Sequence, residues 1–382
     1  MKNSQIKKSN YIKIKNKNAN DLLKLLSKIT KKENIIDKKK KVINDNKYVF
    51  FPISENIEYR NNEIINLIGQ KFKIKIIKRR GIEKPNYKNK TLEEVLKNRL
   101  AEYLINLTPS SYDIIGELVL VDFDRLNKLN LNESEKVKKE IAKAIISVNK
   151  NVKTVYEKKS EIRGNFRLRD LKLLYGIDTS ETLYKENKCL FKLDVKKTYF
   201  TPRLVYERRR VSGLEIKKNE LIIDLFAGVG PFSIQIAKNH DVLVYSFDIN
   251  PDAYNYLIEN IKINRLNGKI YPYNLNVKKL IKPSNSLGKS LKSKADRILM
   301  NLPEKSIEYI DIACFLLKPK SGILHIYQFC EKPDSLKNAI TNVKDALKEL
   351  NWSVNKILES RIVKAFSPKS DLVVVDLLIS RN

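Results

Sequence analysis

At 382 residues, with 42% hydrophobic and 8% aromatic residues, the chain has material for two or three packed cores, which excludes disorder throughout. Seventy-five Lys and Arg against 44 Asp and Glu leave a formal charge of +31. Such a field attracts polyanions, nucleic acid first among them, although a Lys-, Asn- and Ile-rich composition supplies part of the excess and does not separate RNA from DNA.

No stretch of 18 or more residues is free of charges and turn formers, which argues against a membrane span. Cys189, Cys314 and Cys330 form no Cys-x-x-Cys, and His240 and His325 lie far apart, so no disulfide framework, metal site or Ser-His-Asp triad is expected. The amino terminus lacks the apolar core of a secretory signal, and a cytoplasmic protein is expected.

In chain order, residues 1–80 read as a small basic domain. Asp21-Leu-Leu-Lys-Leu-Leu-Ser-Lys-Ile has helical spacing, with Asp21 as its cap. The run Lys38-Lys-Lys-Lys is a solvated loop. Tyr48 to Ile53 and the alternating Phe72-Lys-Ile-Lys-Ile are predicted strands. A charged stretch with Gly81 and Pro85 marks residues 81–90 as a linker. Residues 91–195 form a second unit. It has a helix from Leu92 to Leu104, a strand pair from Tyr112 to Val121 turning near Gly116, and a helix from Lys136 to Val148.

Residues 196–382 are predicted as the third and largest domain. From Leu221 onward apolar strands alternate with helices, the candidates being 221–225, 242–247, 269–271, 297–300, 323–327, 353–357 and 372–379. Alternation of this kind implies a mostly parallel sheet covered on both faces. Ser284 to Lys294 reads as an exposed loop within it. The expected fold class is α/β, a Rossmann-like sheet of seven mostly parallel strands, with two smaller α+β N-terminal domains.

Leu221-Ile-Ile-Asp-Leu-Phe-Ala-Gly-Val-Gly-Pro-Phe-Ser is a strand running into Gly228 and Gly230 and then a helix opening at Pro231. Ser233 stands where a dinucleotide fingerprint has its third glycine. The second strand ends in Asp248, eighteen residues after Gly230, placed to accept from both ribose hydroxyls of an adenosine cofactor. Together these favour S-adenosylmethionine, with NAD the minor alternative. Asp224 is suited to orient the turn or face the amino-acid part of the cofactor. Phe226 and Asn250 flank the same pocket. Asn276, after the third strand, can accept from the adenine amino group or be a plain loop residue. Asn301-Leu-Pro303, after the fourth strand, is predicted to border the reacting methyl group. A carbon-5 pyrimidine methyltransferase needs a cysteine nucleophile there, and Cys314 falls within the next helix; transfer to nitrogen or oxygen fits better.

Several blocks occur in order: Tyr112-Asp-Ile-Ile-Gly-Glu-Leu-Val, Gly164-Asn-Phe-Arg-Leu-Arg, Lys197-Thr-Tyr-Phe-Thr-Pro-Arg-Leu, Leu225-Phe-Ala-Gly-Val-Gly-Pro-Phe-Ser, Asp248-Ile-Asn-Pro, Met300-Asn-Leu-Pro and Arg361-Ile-Val-Lys-Ala-Phe-Ser-Pro. Together they resemble the archaeal and eukaryotic tRNA (guanine-37-N(1))-methyltransferases, strongly from about residue 110 onward and loosely before residue 90. The resemblance implies a three-part, monomeric enzyme. Its small first domain contacts the outer corner of tRNA, and the others grip the anticodon stem-loop. Guanosine 37 is extruded into the pocket, and its methylation supports reading-frame maintenance.

The resemblance also implies residue roles. Glu207 matches the general base for the N(1) proton; read without the resemblance it is a surface carboxylate paired with Arg208 to Arg210. Arg167 matches a cation that steadies charge on the guanine oxygen. Tyr199, Asn301 and Pro303 match residues that position the base. Asp224, Phe226, Gly228, Gly230, Asp248, Asn250, Asn276 and Asn301 fall in the cofactor site, where Asn276 departs from the family's usual Asp. Arg169, Arg203 and Arg208 are expected on RNA phosphates. The product cofactor is S-adenosylhomocysteine. Two rival readings remain: a wyosine-pathway enzyme transferring a methyl or aminocarboxypropyl group at the same nucleoside, and a tRNA-binding homologue without activity.

Overall fold

The computed structural model describes residues 8–29, 35–54, 63–82, 84, 91–97 and 99–382. These fall into two compact units, residues 1–90 and 91–382. Most of the predicted linker, residues 83 and 85–90, lies outside the described residues.

In the first unit, Lys8–Lys15 pairs antiparallel with Tyr48–Pro52 on one side and Lys75–Arg80 on the other, and Ile43–Asn44 extends the sheet beyond Tyr48–Pro52. Two helices, Ala19–Ile29 and Glu63–Lys71, accompany it, and Ile12, Ile14, Leu22, Val49, Phe51 and Ile68 share one core. Two sequence expectations need correction. Asp21 lies in the first turn of a helix that begins at Ala19 behind a 3-10 turn, so it does not cap. Phe72 is not in a strand; its N–H bonds the Ile68 carbonyl and closes the preceding helix, so the strand starts three residues later, at Lys75.

The second unit opens with two short helices, Leu92–Leu96 and Glu102–Ile105, where one long helix was predicted. The strands Tyr112–Ile115 and Leu118–Val121 form the expected hairpin, extended by Thr154–Lys158 and Leu171–Gly176 into a four-stranded sheet. Helix Leu131–Val148 packs Val137, Ile141 and Ile145 against it. The Asn130 side chain accepts from Glu133 N–H, which is why the helix starts five residues before the predicted Lys136. A hairpin of Glu181–Glu186 and Cys189–Asp194 follows. Its Phe191 and Leu193 join Leu118, Leu120, Tyr156, Val229, Ile234 and Leu257 in a core shared with the large sheet.

The large sheet has strands β1 (Leu221–Asp224), β2 (Leu243–Asp248), β3 (Lys269–Asn274), β4 (Arg297–Met300), β5 (Gly322–Glu331), β6 (Trp352–Ala365) and β7 (Ser370–Arg381). Their spatial order is β3-β2-β1-β4-β5-β7-β6. The first five are parallel, and β7 runs antiparallel between β5 and β6. Successive side chains bury on opposite faces. Ile222, Val244, Leu299 and Val374 meet helix Pro231–Asn239 on one face; Ile223, Phe247, Ile298 and Val375 meet helices Ile310–Leu316 and Ser335–Glu349 on the other. Burial on both faces explains the unbroken apolar runs. The predicted loop Ser284–Lys294 instead contains a helix, Ser286–Leu291. Asn285 caps it by accepting from Gly288 N–H, and Leu291 buries in the core.

The order in which strands are added to the sheet reverses between the parallel neighbours β1 and β4, which opens a crevice beyond their carboxyl ends. Among the described residues no helix is long and apolar enough to cross a membrane, and no His, Cys, Asp and Glu group is arranged to hold a metal ion.

Candidate active site

A cavity of about 340 Å³ occupies that crevice, within the range of small-molecule sites. One part of its wall comes from the glycine turn and the ends of β2 and β3: Phe226, Gly228, Asp248, Asn250 and Asn276. The rest comes from the end of β4 and from loops before the sheet: Asn301, Pro303, Arg167, Arg169 and Tyr199. Residues separated by more than 130 positions in sequence therefore share one space.

The turn is built for close approach. Gly228 and Gly230 have φ of 56° and 88°, a left-handed conformation that side chains disfavour. A Cβ at Gly230 would also collide with Leu257. Pro231 then starts the helix, where its missing N–H costs nothing. Asp248 ties this turn to β2: its carboxylate accepts from Gly228 N–H at 2.7 Å and from Asn250 N–H at 2.8 Å. Burial pushes its carboxyl pKa up, and the two N–H groups oppose that rise. Asn250 in turn caps the next helix by accepting from Asp252 N–H at 3.0 Å.

Asp224 and Gly230 do not line the cavity. Asp224 sits beneath the turn, 1% exposed, accepting from Ser233 Oγ at 2.8 Å and from Phe226 N–H at 3.3 Å. Burial pushes its carboxyl up to about 7. Asn276 lines the cavity, but its Oδ1 already accepts from Lys278 N–H at 3.0 Å, leaving one lone pair for another donor.

Arg167 has φ of 56°, in a tight loop closed by hydrogen bonds between Arg163 and Leu168. A left-handed Arg costs on the order of 1–3 kcal/mol, which the closed loop must outweigh. Its guanidinium lies 4.8 Å from the Tyr199 ring centroid, and Nη1 is 2.9 Å from a Glu304 carboxylate oxygen.

Glu207 lies on helix Val205–Ser212, outside the cavity lining. It is 1% exposed, so the reading as a surface carboxylate is corrected. It accepts from Tyr327 Oη and Arg210 Nη2 at 2.8 and 2.7 Å, and pairs with Arg361. Arg210 is itself anchored by Asp376 at 2.7 Å. Burial opposes ionisation of Asp376, but His325 and Arg210 outweigh it and hold its carboxyl at about 2.

Arg208 also needs correction as a phosphate contact. Its side chain is 2% exposed, with Nε and Nη2 each held by a Glu186 carboxylate oxygen at 2.5 Å, so it is committed to a buried ion pair and not presented to a backbone phosphate. Arg203 remains half exposed and pairs with Asp113 at 2.6 Å.

The cavity has further walls that the sequence reading did not assign: Glu304, Lys305, Lys364 and Phe366. Phe366 stacks on Phe329 with centroids 4.0 Å apart. Burial and the nearby Arg203 lower the Lys364 ammonium pKa. Lys364 and Phe366 both lie in the closing Arg361–Pro368 block, one of those that carry the family resemblance, and that was their available signal. Glu304 follows Pro303 and carried no signal of its own.

A sheet of this order, with a glycine turn after β1 and a carboxylate ending β2, defines a class I S-adenosylmethionine-dependent methyltransferase. Residues 182–355 match the family model described as the TRM5/TYW2 methyltransferase domain, and residues 92–179 match a TYW2 N-terminal domain. A tRNA (guanine(37)-N(1))-methyltransferase, Trm5b, of Pyrococcus abyssi is 35% identical over 71% of this chain and 76% of its own. The Trm5b of Methanocaldococcus jannaschii is 30% identical over 91% of this chain and 94% of its own. The solved complex of aTrm5 and tRNALeu superposes with a TM-score of 0.70 at 28% identity, covering 97% of this chain and 99% of that one. The chain belongs to the TRM5/TYW2 methyltransferase family.

Proposed function

We propose that this protein transfers a methyl group from S-adenosylmethionine to N(1) of guanosine 37 in tRNA. The observation that carries the reading is that Asp248 and Gly228 line the same cavity as Arg167, Tyr199 and Asn301.

The cofactor fits what is present: a carboxylate at the end of β2 for the ribose, and a side-chain-free turn for close backbone approach. When bound, it supplies an electrophilic methyl on a sulfonium. Tyr199 and Asn301 orient the flipped guanine, and the Arg167 guanidinium steadies charge growing on its oxygen. Glu207 would accept the N(1) proton as the methyl is transferred to nitrogen, and the cofactor would leave as S-adenosylhomocysteine. For Glu207 to take it, Arg361, one-third exposed on β6, must turn away. Asp224, Phe226, Gly230, Asn250 and Asn276 shape the cofactor side, while Arg169 and Arg203 meet phosphates.

In this reading the chain divides into an outer-corner domain (1–80), a linker (81–90), a middle domain (91–195) and the catalytic domain (196–382). It acts as a cytoplasmic monomer on the anticodon stem-loop and outer corner of tRNA. Aminocarboxypropyl transfer at the same nucleoside is a second reading, favoured by the match of residues 92–179 to a TYW2 N-terminal domain and by relatives named for that transfer. Incubating unmodified tRNA with methyl-tritiated cofactor tests the first. Incorporation is expected with guanosine at position 37 and none with adenosine there. Equal labelling of both transcripts contradicts it.

A further inference from the structure

We propose that Glu304 is a specificity-determining residue that accepts a hydrogen bond from the exocyclic amino group of the target guanine, completing with Arg167 a donor–acceptor pair that reads the base. This rests on guanosine as the substrate of the site and goes beyond it in naming the group that selects guanine.

Glu304 follows Asn301-Leu-Pro303 directly and lines the cavity beside them. Its side chain is 45% exposed, against 13% for Arg167. Arg167 is pinned by its loop and by the Tyr199 ring, whereas Glu304 has room to swing. Their charged atoms lie 2.9 Å apart, yet the buried Nη1 of Arg167 has no acceptor aligned with its N–H bonds. An ion pair with one exposed member is weakly held, and a donor buried without an aligned partner favours any ligand that supplies one.

Guanine supplies both halves. Its O6 accepts and its amino group donates, and the two flank N(1), the atom to be methylated. A carboxylate only accepts and a guanidinium only donates, so the pair matches this edge. Adenine presents an amino group where guanine has O6 and lacks the second one, so Arg167 meets a donor and Glu304 meets nothing. Two other carboxylates line the cavity, Glu161 and Asp248; Asp248 belongs to the cofactor side, tied to the glycine turn by two N–H groups, and Glu304 is the one adjoining Asn301 and Pro303.

The test uses the full chain with tRNA transcripts carrying guanosine or inosine at position 37, since inosine keeps O6 and lacks the amino group. Wild type is expected to prefer guanosine. Glu304→Ala should lower kcat/KM for guanosine roughly tenfold or more and leave inosine nearly unchanged, so the preference collapses. Glu304→Gln, which keeps an acceptor, should fall between the two. Unchanged S-adenosylmethionine affinity establishes that each variant is folded. A loss equal for both transcripts, or no loss for either, overturns the inference. Failure of wild type to methylate position 37 would instead overturn the proposed function.

Discussion

The carboxylate of Asp248 accepts the N–H of Gly228 across 2.7 Å, so the end of β2 and the glycine turn after β1 form one rigid edge of the cavity. Asp248→Ala removes both the ribose acceptor and this tie. Losing hydrogen bonds to a charged group is expected to weaken S-adenosylmethionine binding about 10- to 100-fold. Calorimetric titration measures it; an unchanged Kd would take Asp248 out of the cofactor site.

Asp224 makes the apo protein pH-sensitive. Its carboxyl stands at about 7 in the fold, against about 3.9 in an unfolded chain. A carboxyl raised in this way favours folding below its unfolded pKa, and that contribution is lost as pH climbs through the folded one. Asp224→Asn cannot titrate. The variant should therefore gain on wild type by roughly 1.4 kcal/mol per pH unit between about pH 4 and 7, and hold level above. Urea unfolding across that range checks this, and a difference independent of pH contradicts it.

Arg208 and Glu186 form a buried bidentate pair, 2% and 0% exposed. Removing either partner strands the other charge. Arg208→Ala and Glu186→Ala should each cost about 3–5 kcal/mol, with the double variant costing less than the sum. Denaturant midpoints measure this. Strict additivity would mean that the two side chains do not act as a pair.

Glu207→Gln keeps the volume and removes the proton acceptor. The single-turnover rate is expected to fall roughly 100-fold or more, with cofactor affinity unaltered because Glu207 lies outside the cavity. Rapid-quench measurement at saturating tRNA decides it; a wild-type rate removes Glu207 from the mechanism.

Much of this site was legible because its positions follow strands. β1 and β4 are short apolar runs buried on both faces, Asp248 closes β2, and Asn301 comes directly after β4. Asp248 and Gly228 carry their spacing in one stretch of chain. Glu207 was different: its partners Tyr327 and Arg361 arrive from 120 and 154 residues away, so its burial has no local mark. Arg208 was misread for the same reason, since Glu186 reaches it across a hairpin. Helix Ser286–Leu291 escaped because Ser, Asn and Gly signal a loop, while the hydrogen bond that makes Asn285 a cap is a matter of geometry.

A crystal structure of the protein with a non-reactive cofactor analogue and an unmodified anticodon stem-loop bears most directly on the whole account. Guanine 37 should lie unstacked in the cavity, N(1) facing the donor position, its oxygen on Arg167 and its ring beside Tyr199 and Asn301. A guanine left stacked in the loop, or an analogue bound away from Asp248 and Gly228, would contradict it.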